Sequence, residues 1–167
     1  MTRFALSSTA AFLLLIASDL PGQDIRTNSL HLDGTWLSTV SRLDAAGTPV
    51  VFNILYTFLP GGALVQTSGI SLRNRGTAHG YWIATGDREF LTTIWVMRFD
   101  PANDQFLGFT RVTTRIRLNE SMDEYKASAY NQALDPQGKP SAPALIGTET
   151  AKRLPIVHVP ELPAPPQ

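Results

Sequence analysis

From residue 35 onward, apolar and polar residues alternate with a period of two in short runs separated by turn-forming clusters. In "FNILYTF", residues 52–58, Phe52, Ile54, Tyr56 and Phe58 share one face, and Asn53, Leu55 and Thr57 share the other. Residues 106–118 repeat the pattern over a longer stretch. Phe106, Thr110, Val112, Thr114, Ile116 and Leu118 lie on one side, and Leu107, Phe109, Arg111, Thr113, Arg115 and Arg117 on the other. No stretch of this region sustains the i, i+3, i+4, i+7 spacing of an amphipathic helix, so the pattern predicts strands.

The turn signals divide the region into eight predicted strands: 35–43, 50–59, 63–70, 79–85, 89–100, 105–118, 124–134 and 145–154. Between them stand "DAAGTP", "PGG", "LRNRGT", Gly86-Asp87, "DPANDQ", "NESMD" and "DPQGKP", all rich in residues that favour turns. Short turns join antiparallel neighbours. Eight such strands close into an up-and-down barrel, which leaves no exposed edges. The expected fold is therefore all-β: an eight-stranded antiparallel up-and-down barrel. The alternative is a β-sandwich, but it needs crossovers longer than these turns. A barrel of eight strands has an interior either filled by side chains or able to hold one small ligand.

The chain resembles the calycin group, lipocalins among them, in Gly34-Thr35-Trp36 at the entry to the first strand and in Arg153 near the end of the last. The resemblance implies that Gly34, Trp36 and Arg153 close one end of the barrel, with the guanidinium stacked over the indole. It departs from lipocalins in having no cysteine for their disulfides and no C-terminal helical pattern. The chain is also similar to a family of uncharacterised exported bacterial proteins. The shared segments are Gly34-Thr35-Trp36, His79-Gly80-Tyr81-Trp82, Gly86-Asp87-Arg88-Glu89-Phe90, Phe99-Asp100 with Gly108, and Asp135-Pro136-Gln137-Gly138. A likeness in size and topology to allene-oxide-cyclase-like barrels implies that such a lumen can also host a cyclisation.

The two ends of the chain differ from this pattern. Arg3 precedes "FALSSTAAFLLLIAS", residues 4–18, which carries no charge. The run is shorter than a bilayer span of about 20 residues and matches the core of a signal peptide. Residues 1–22 are expected to be a signal peptide, so the protein is exported (periplasmic or secreted) and has no stable membrane insertion after cleavage. "LPIVHVPELPAPPQ" carries proline at five positions, which disfavours helix and sheet. Residues 158–167 are expected to form a disordered Pro-rich tail, and residues 30–157 the barrel domain.

Charge and chemistry narrow the function. Lys plus Arg and Asp plus Glu both number 14, giving a net charge of zero, which argues against a nucleic-acid partner. Without cysteine there is no thiol nucleophile or thiolate metal site. The histidines, His31, His79 and His158, have no metal-ligand spacing, and no nucleophile elbow, phosphate loop or dinucleotide fingerprint occurs. No metal, cofactor or catalytic residue is assigned. Arg111, Arg115 and Arg117 read as a solvated face balanced by Glu120, Asp123 and Glu124. The candidate lumen residues are Phe52, Ile54, Tyr56, Phe58, His79 and Tyr81. The expected function is binding of a small apolar or amphipathic molecule in the lumen, the expected partner being a small hydrophobic ligand. The alternatives are a cyclase or isomerase, which would need His79 to converge with Tyr56 or Tyr81, and a non-enzymatic interaction module.

Overall fold

The computed structural model describes residues 32–70 and 75–156. The strands are β1 (Gly34–Leu43), β2 (Pro49–Phe58), β3 (Ala63–Ser68), β4 (Arg75–Ala84), β5 (Glu89–Phe99), β6 (Phe106–Leu118), β7 (Glu124–Leu134) and β8 (Leu145–Arg153). Each pairs antiparallel with the next, and β8 pairs with β1 to close the barrel. The seam runs from Trp36 opposite Arg153 to Arg42 opposite Gly147. Closure rules out the sandwich, because every strand has a partner on both edges. The expected signal segment, residues 1–22, and the Pro-rich tail, residues 158–167, lie outside the described residues, as do residues 30, 31 and 157 of the expected domain.

The hairpins form where the turn residues satisfy their own backbone. Asp44 Oδ1 accepts the amides of Ala46 and Thr48, each at 2.9 Å. Asp135 Oδ1 accepts those of Gln137 at 3.0 Å and Lys139 at 2.8 Å. Both are Asx-type turns, in which a short carboxylate substitutes for a main-chain acceptor and reverses the chain locally.

Two elements depart from the sequence pattern. β4 starts at Arg75, four residues before the alternation begins, and a bulge separates Arg75 from Ala78. Residues 75–78 show little hydrophobic alternation; they are strand because β5 offers them a partner, Arg75 lying opposite Arg98. In β6, a second register shift falls where Arg98 pairs with Gly108 and Phe99 with Phe106. Gly108 has φ +106°, and a Cβ there would lie 2.3 Å from the Leu134 carbonyl oxygen. Only glycine fits that backbone. Strict alternation put Phe106 and Phe109 on opposite faces, but the irregularity brings their rings together at 5.1 Å.

The inward faces form the core. At the end where β1 begins, Trp36 and Tyr125 meet at 5.2 Å, Phe58 and Trp82 at 6.2 Å, and Trp82 and Phe90 at 5.8 Å. Burial of such rings is the largest hydrophobic contribution available to a barrel of this size. The Trp36 indole N–H donates to Leu32 O at 2.9 Å, and that of Trp82 to Leu59 O and Ala63 O, both at 3.1 Å, so neither ring buries an unpaired donor. β7 and β8 also present small inner residues: Ala127, Ala129, Gly147 and Ala151.

Candidate functional site

The end where β1 enters is plugged. Arg153 lies over Trp36 with its guanidinium carbon 4.3 Å from the ring centroid. Its Nε and Nη2 each donate to Met122 O at 3.1 Å, and its Nη1 donates to Asp33 O. Gly34 has φ +119°, and a Cβ there would sit 3.1 Å from Arg153 Nη1. One guanidinium therefore fastens the entry to β1, the β6–β7 turn and the end of β8.

The polar centre of the lumen is Glu149. On β8, Gly147, Glu149 and Ala151 point inward, and Thr148, Thr150 and Lys152 are exposed. Glu149 is only 3% exposed. Ser38 Oγ donates to its Oε2 at 3.2 Å, and the Tyr56 hydroxyl to its Oε1 at 3.5 Å. The buried Tyr125 hydroxyl has no well-formed hydrogen bond but lies near enough to affect the same carboxyl. Burial raises the Glu149 carboxyl to about pKa 7, against the smaller opposing effects of the Ser38, Tyr56 and Tyr125 hydroxyls. Burial beside this carboxylate also pushes the phenols of Tyr56 and Tyr125 well above the usual tyrosine range. A carboxyl poised near neutrality, with hydroxyl donors in reach, can hold or exchange a proton.

Above Glu149 a small cup leads toward the opposite end of the barrel. Its walls include Phe52, Ile54, Ile94, Val96 and Val112, its polar lining includes Tyr56, Gln66 and Asn131, and Arg75 also borders it. The free volume is about 20 Å³, room for about one water molecule. A larger guest has to displace half-buried side chains such as Phe52 and Arg75. Wider concavities of about 610 and 520 Å³ lie on the outer wall, around Leu37 and Leu154 and around Val65 and Trp95. The first of them reaches the buried Tyr125, but neither is lined by Glu149, which borders the lumen cup.

The sequence-derived candidates divide. Phe52, Ile54 and Tyr56 border the cup. Phe58 does not: it is 1% exposed and packed between Tyr56 and Trp82. His79 and Tyr81 are on the outer wall, Tyr81 being 69% exposed. In β4 it is Ala78, Gly80 and Trp82 that share the inward parity, and Gly80 is there for backbone approach, since a Cβ would meet Thr93 O at 2.0 Å. His79 and Tyr56 thus stand on opposite sides of the wall, and the catalytic pairing of His79 with Tyr56 in the lumen does not exist. Arg111, Arg115 and Arg117 are exposed as expected, but Arg117 pairs with Glu89 of the neighbouring strand at 2.7 Å. Glu124, expected to balance that face, pairs with Lys152 at 2.9 Å.

Sequence reasoning missed Glu149, Ser38, Tyr125 and Arg75. One signal was present. Glu149 shares parity with Gly147 and Ala151 while threonines and lysine alternate outward, which places a carboxylate on the inner face.

No family model matches the chain. A search of curated proteins likewise returns no match. Among solved structures, the chain is similar to EF1p2_mFAP2b bound to DFHBI, with TM-score 0.56 and 18% identity over 78% of this chain and 99% of that one. It also aligns with a redesigned β-barrel, b11L5F_LGL (TM-score 0.45, 14% identity, 77% of this chain and 96% of that one). A third is the S-type phycobiliprotein lyase CPES from Guillardia theta (TM-score 0.39, 12% identity, 77% and 92%). The first of these likenesses establishes the small β-barrel fold.

Proposed function

We propose that the protein is an exported β-barrel that binds a small amphipathic molecule in the cup of its lumen. The observation that carries this reading is Glu149, a buried carboxyl without a cationic partner among the described residues, at the foot of an apolar-walled cup. Burying such a group costs stability unless it is fully paired, so its retention here favours a role in recognition. Phe52, Ile54, Ile94 and Val96 take the apolar part of the guest, and Glu149 and Tyr56 take a polar end. EF1p2_mFAP2b, bound to DFHBI, is a barrel of this fold that holds a small molecule. The uncharged run at residues 4–18 supports export.

Native mass spectrometry of the protein recovered from its own host tests the reading. The expected result is an organic adduct that is lost in Ala129→Leu, which fills the cup without changing charge. If no adduct appears, and neither alcohols nor lipids bind in calorimetric titrations, the reading is overturned.

A second reading is favoured by the near-neutral Glu149 alone: proton-transfer catalysis of the isomerase kind in the same lumen, with Glu149 as the base and Tyr56 as a donor. Exchange of deuterium from solvent into the recovered ligand, abolished in Glu149→Gln, would support it. Absence of exchange leaves simple binding.

A further inference from the structure

Three arginines converge on the mouth of the barrel. Arg42 follows Val40 on the inward face of β1, and Arg98 follows Val96 on that of β5. Arg75 of β4 is opposite Arg98 in register and borders the cup. All three are half-buried. Arg42 lies over Phe52 with its guanidinium carbon 5.8 Å from the ring centroid. Arg98 Nη2 donates to the carbonyls of Leu107 at 3.2 Å and Leu134 at 3.3 Å, and its buried Nε has no partner among the described residues.

No carboxylate among the described residues pairs with any of the three; the ion pairs there, Arg117 with Glu89 and Lys152 with Glu124, are on the outer wall. Of the acidic side chains in the loops at this end, Asp104 is exposed and three are engaged in their own turns. Asp44, Asp100 and Asp135 accept backbone amides of their own turns. Burial and the neighbouring charges of Arg42 and Arg98 all act to lower the Arg75 pKa, yet a guanidinium remains charged in proteins. The mouth therefore gathers three like charges beside the cup and its apolar wall of Phe52, Ile54, Ile94 and Val96, a place where an anion relieves repulsion and gains charge-assisted hydrogen bonds.

We propose that the occupant of the lumen is an amphipathic organic carboxylate, its head held at the mouth by Arg42, Arg75 and Arg98, its apolar part against Phe52, Ile54, Ile94 and Val96, and any second, uncharged polar end toward Glu149 and Tyr56. The proposal rests on the reading of the lumen as a binding site and adds the charge and the orientation of the ligand. The orientation follows from the two ends. Glu149 at the foot repels a second carboxylate, and the arginines at the mouth attract one.

Sodium octanoate and 1-octanol share a chain and differ in charge, so their comparison by titration calorimetry at pH 8 isolates the head group. The full chain is expected to bind octanoate about tenfold or more tighter than octanol, the size of effect a charge-assisted hydrogen bond provides. Arg75→Met should abolish that preference, with far-UV circular dichroism confirming the fold. Arg42→Met gives an independent variant should Arg75→Met not fold. Equal binding of octanoate and octanol by the unmodified protein, or a preference that survives both variants, overturns the carboxylate proposal and leaves the lumen reading standing. If neither compound binds, the lumen reading falls and the proposal with it.

Discussion

The Arg153 guanidinium rests on the Trp36 indole, 4.3 Å from its centroid, across the seam where the last strand meets the first. The stack excludes water from one face of the ring, and the same guanidinium donates to Met122 O and Asp33 O. Arg153→Lys keeps the charge and loses the planar fork, so it is expected to cost about 1–2 kcal/mol; Arg153→Ala, which also exposes the indole and orphans two carbonyls, about 2–3 kcal/mol. Urea unfolding followed by tryptophan fluorescence checks both. Equal stability of Arg153→Ala and the parent would show that the lid does not hold the seam.

Gly34 is coupled to that lid. Its φ of +119° disfavours any side chain, and an added Cβ would press to within 3.1 Å of Arg153 Nη1. Gly34→Ala is expected to destabilise by about 1–3 kcal/mol. In the Arg153→Ala background the steric part of that cost should shrink, because the guanidinium is gone, and a double-mutant cycle measures the difference.

Glu149 makes stability depend on pH. Its native pKa of about 7 lies above its ordinary value of 4.5. The native state therefore holds the proton more tightly than the unfolded chain, so this group's contribution falls as pH rises from about 4.5 to about 7 and is flat above. The full penalty is on the order of 3 kcal/mol. Glu149→Gln removes a charge that must be buried, so the variant should be more stable than the parent at pH 8 and nearly equal to it at pH 4.5. Ser38→Ala deletes the largest hydrogen-bonding influence that favours the carboxylate, so the Glu149 titration followed by ¹³C NMR should move above 7. A downward move, or a pH-independent stability difference for Glu149→Gln, would contradict the assignment.

His79 and Tyr81 lie on the outer wall. His79→Ala and Tyr81→Ala are therefore expected to leave octanoate affinity within about twofold of the parent, whereas Ala129→Leu, which fills the cup, should weaken it by about tenfold or more. A larger loss at His79 than at Ala129 would place the site outside the barrel.

The number of strands, their boundaries to within a few residues and the antiparallel order were all written in the chain. A half-buried strand needs period-two alternation, and short Asp- and Gly-rich turns permit only neighbouring pairs. The pairing of Trp36 with Arg153 was expected from the resemblance to the calycin group, and the structure places the two side chains in contact. The lumen was less legible. Parity says which residues of a strand share a face but not which face is inside when both are apolar, and "HGYWIA" is such a case. There Trp82 rather than Tyr81 turns inward, because only glycine at position 80 allows β5 to approach as closely as it does. The Glu149 cluster joins β1, β2, β7 and β8, and the arginine mouth joins β1, β4 and β5, partly through a bulge that local periodicity does not reveal. The sequence by itself determined the strands and their order, because hydrophobic alternation and turn chemistry are local. The tertiary structure decided which polar groups share the interior, because their burial and electrostatics exist only once distant strands enclose them.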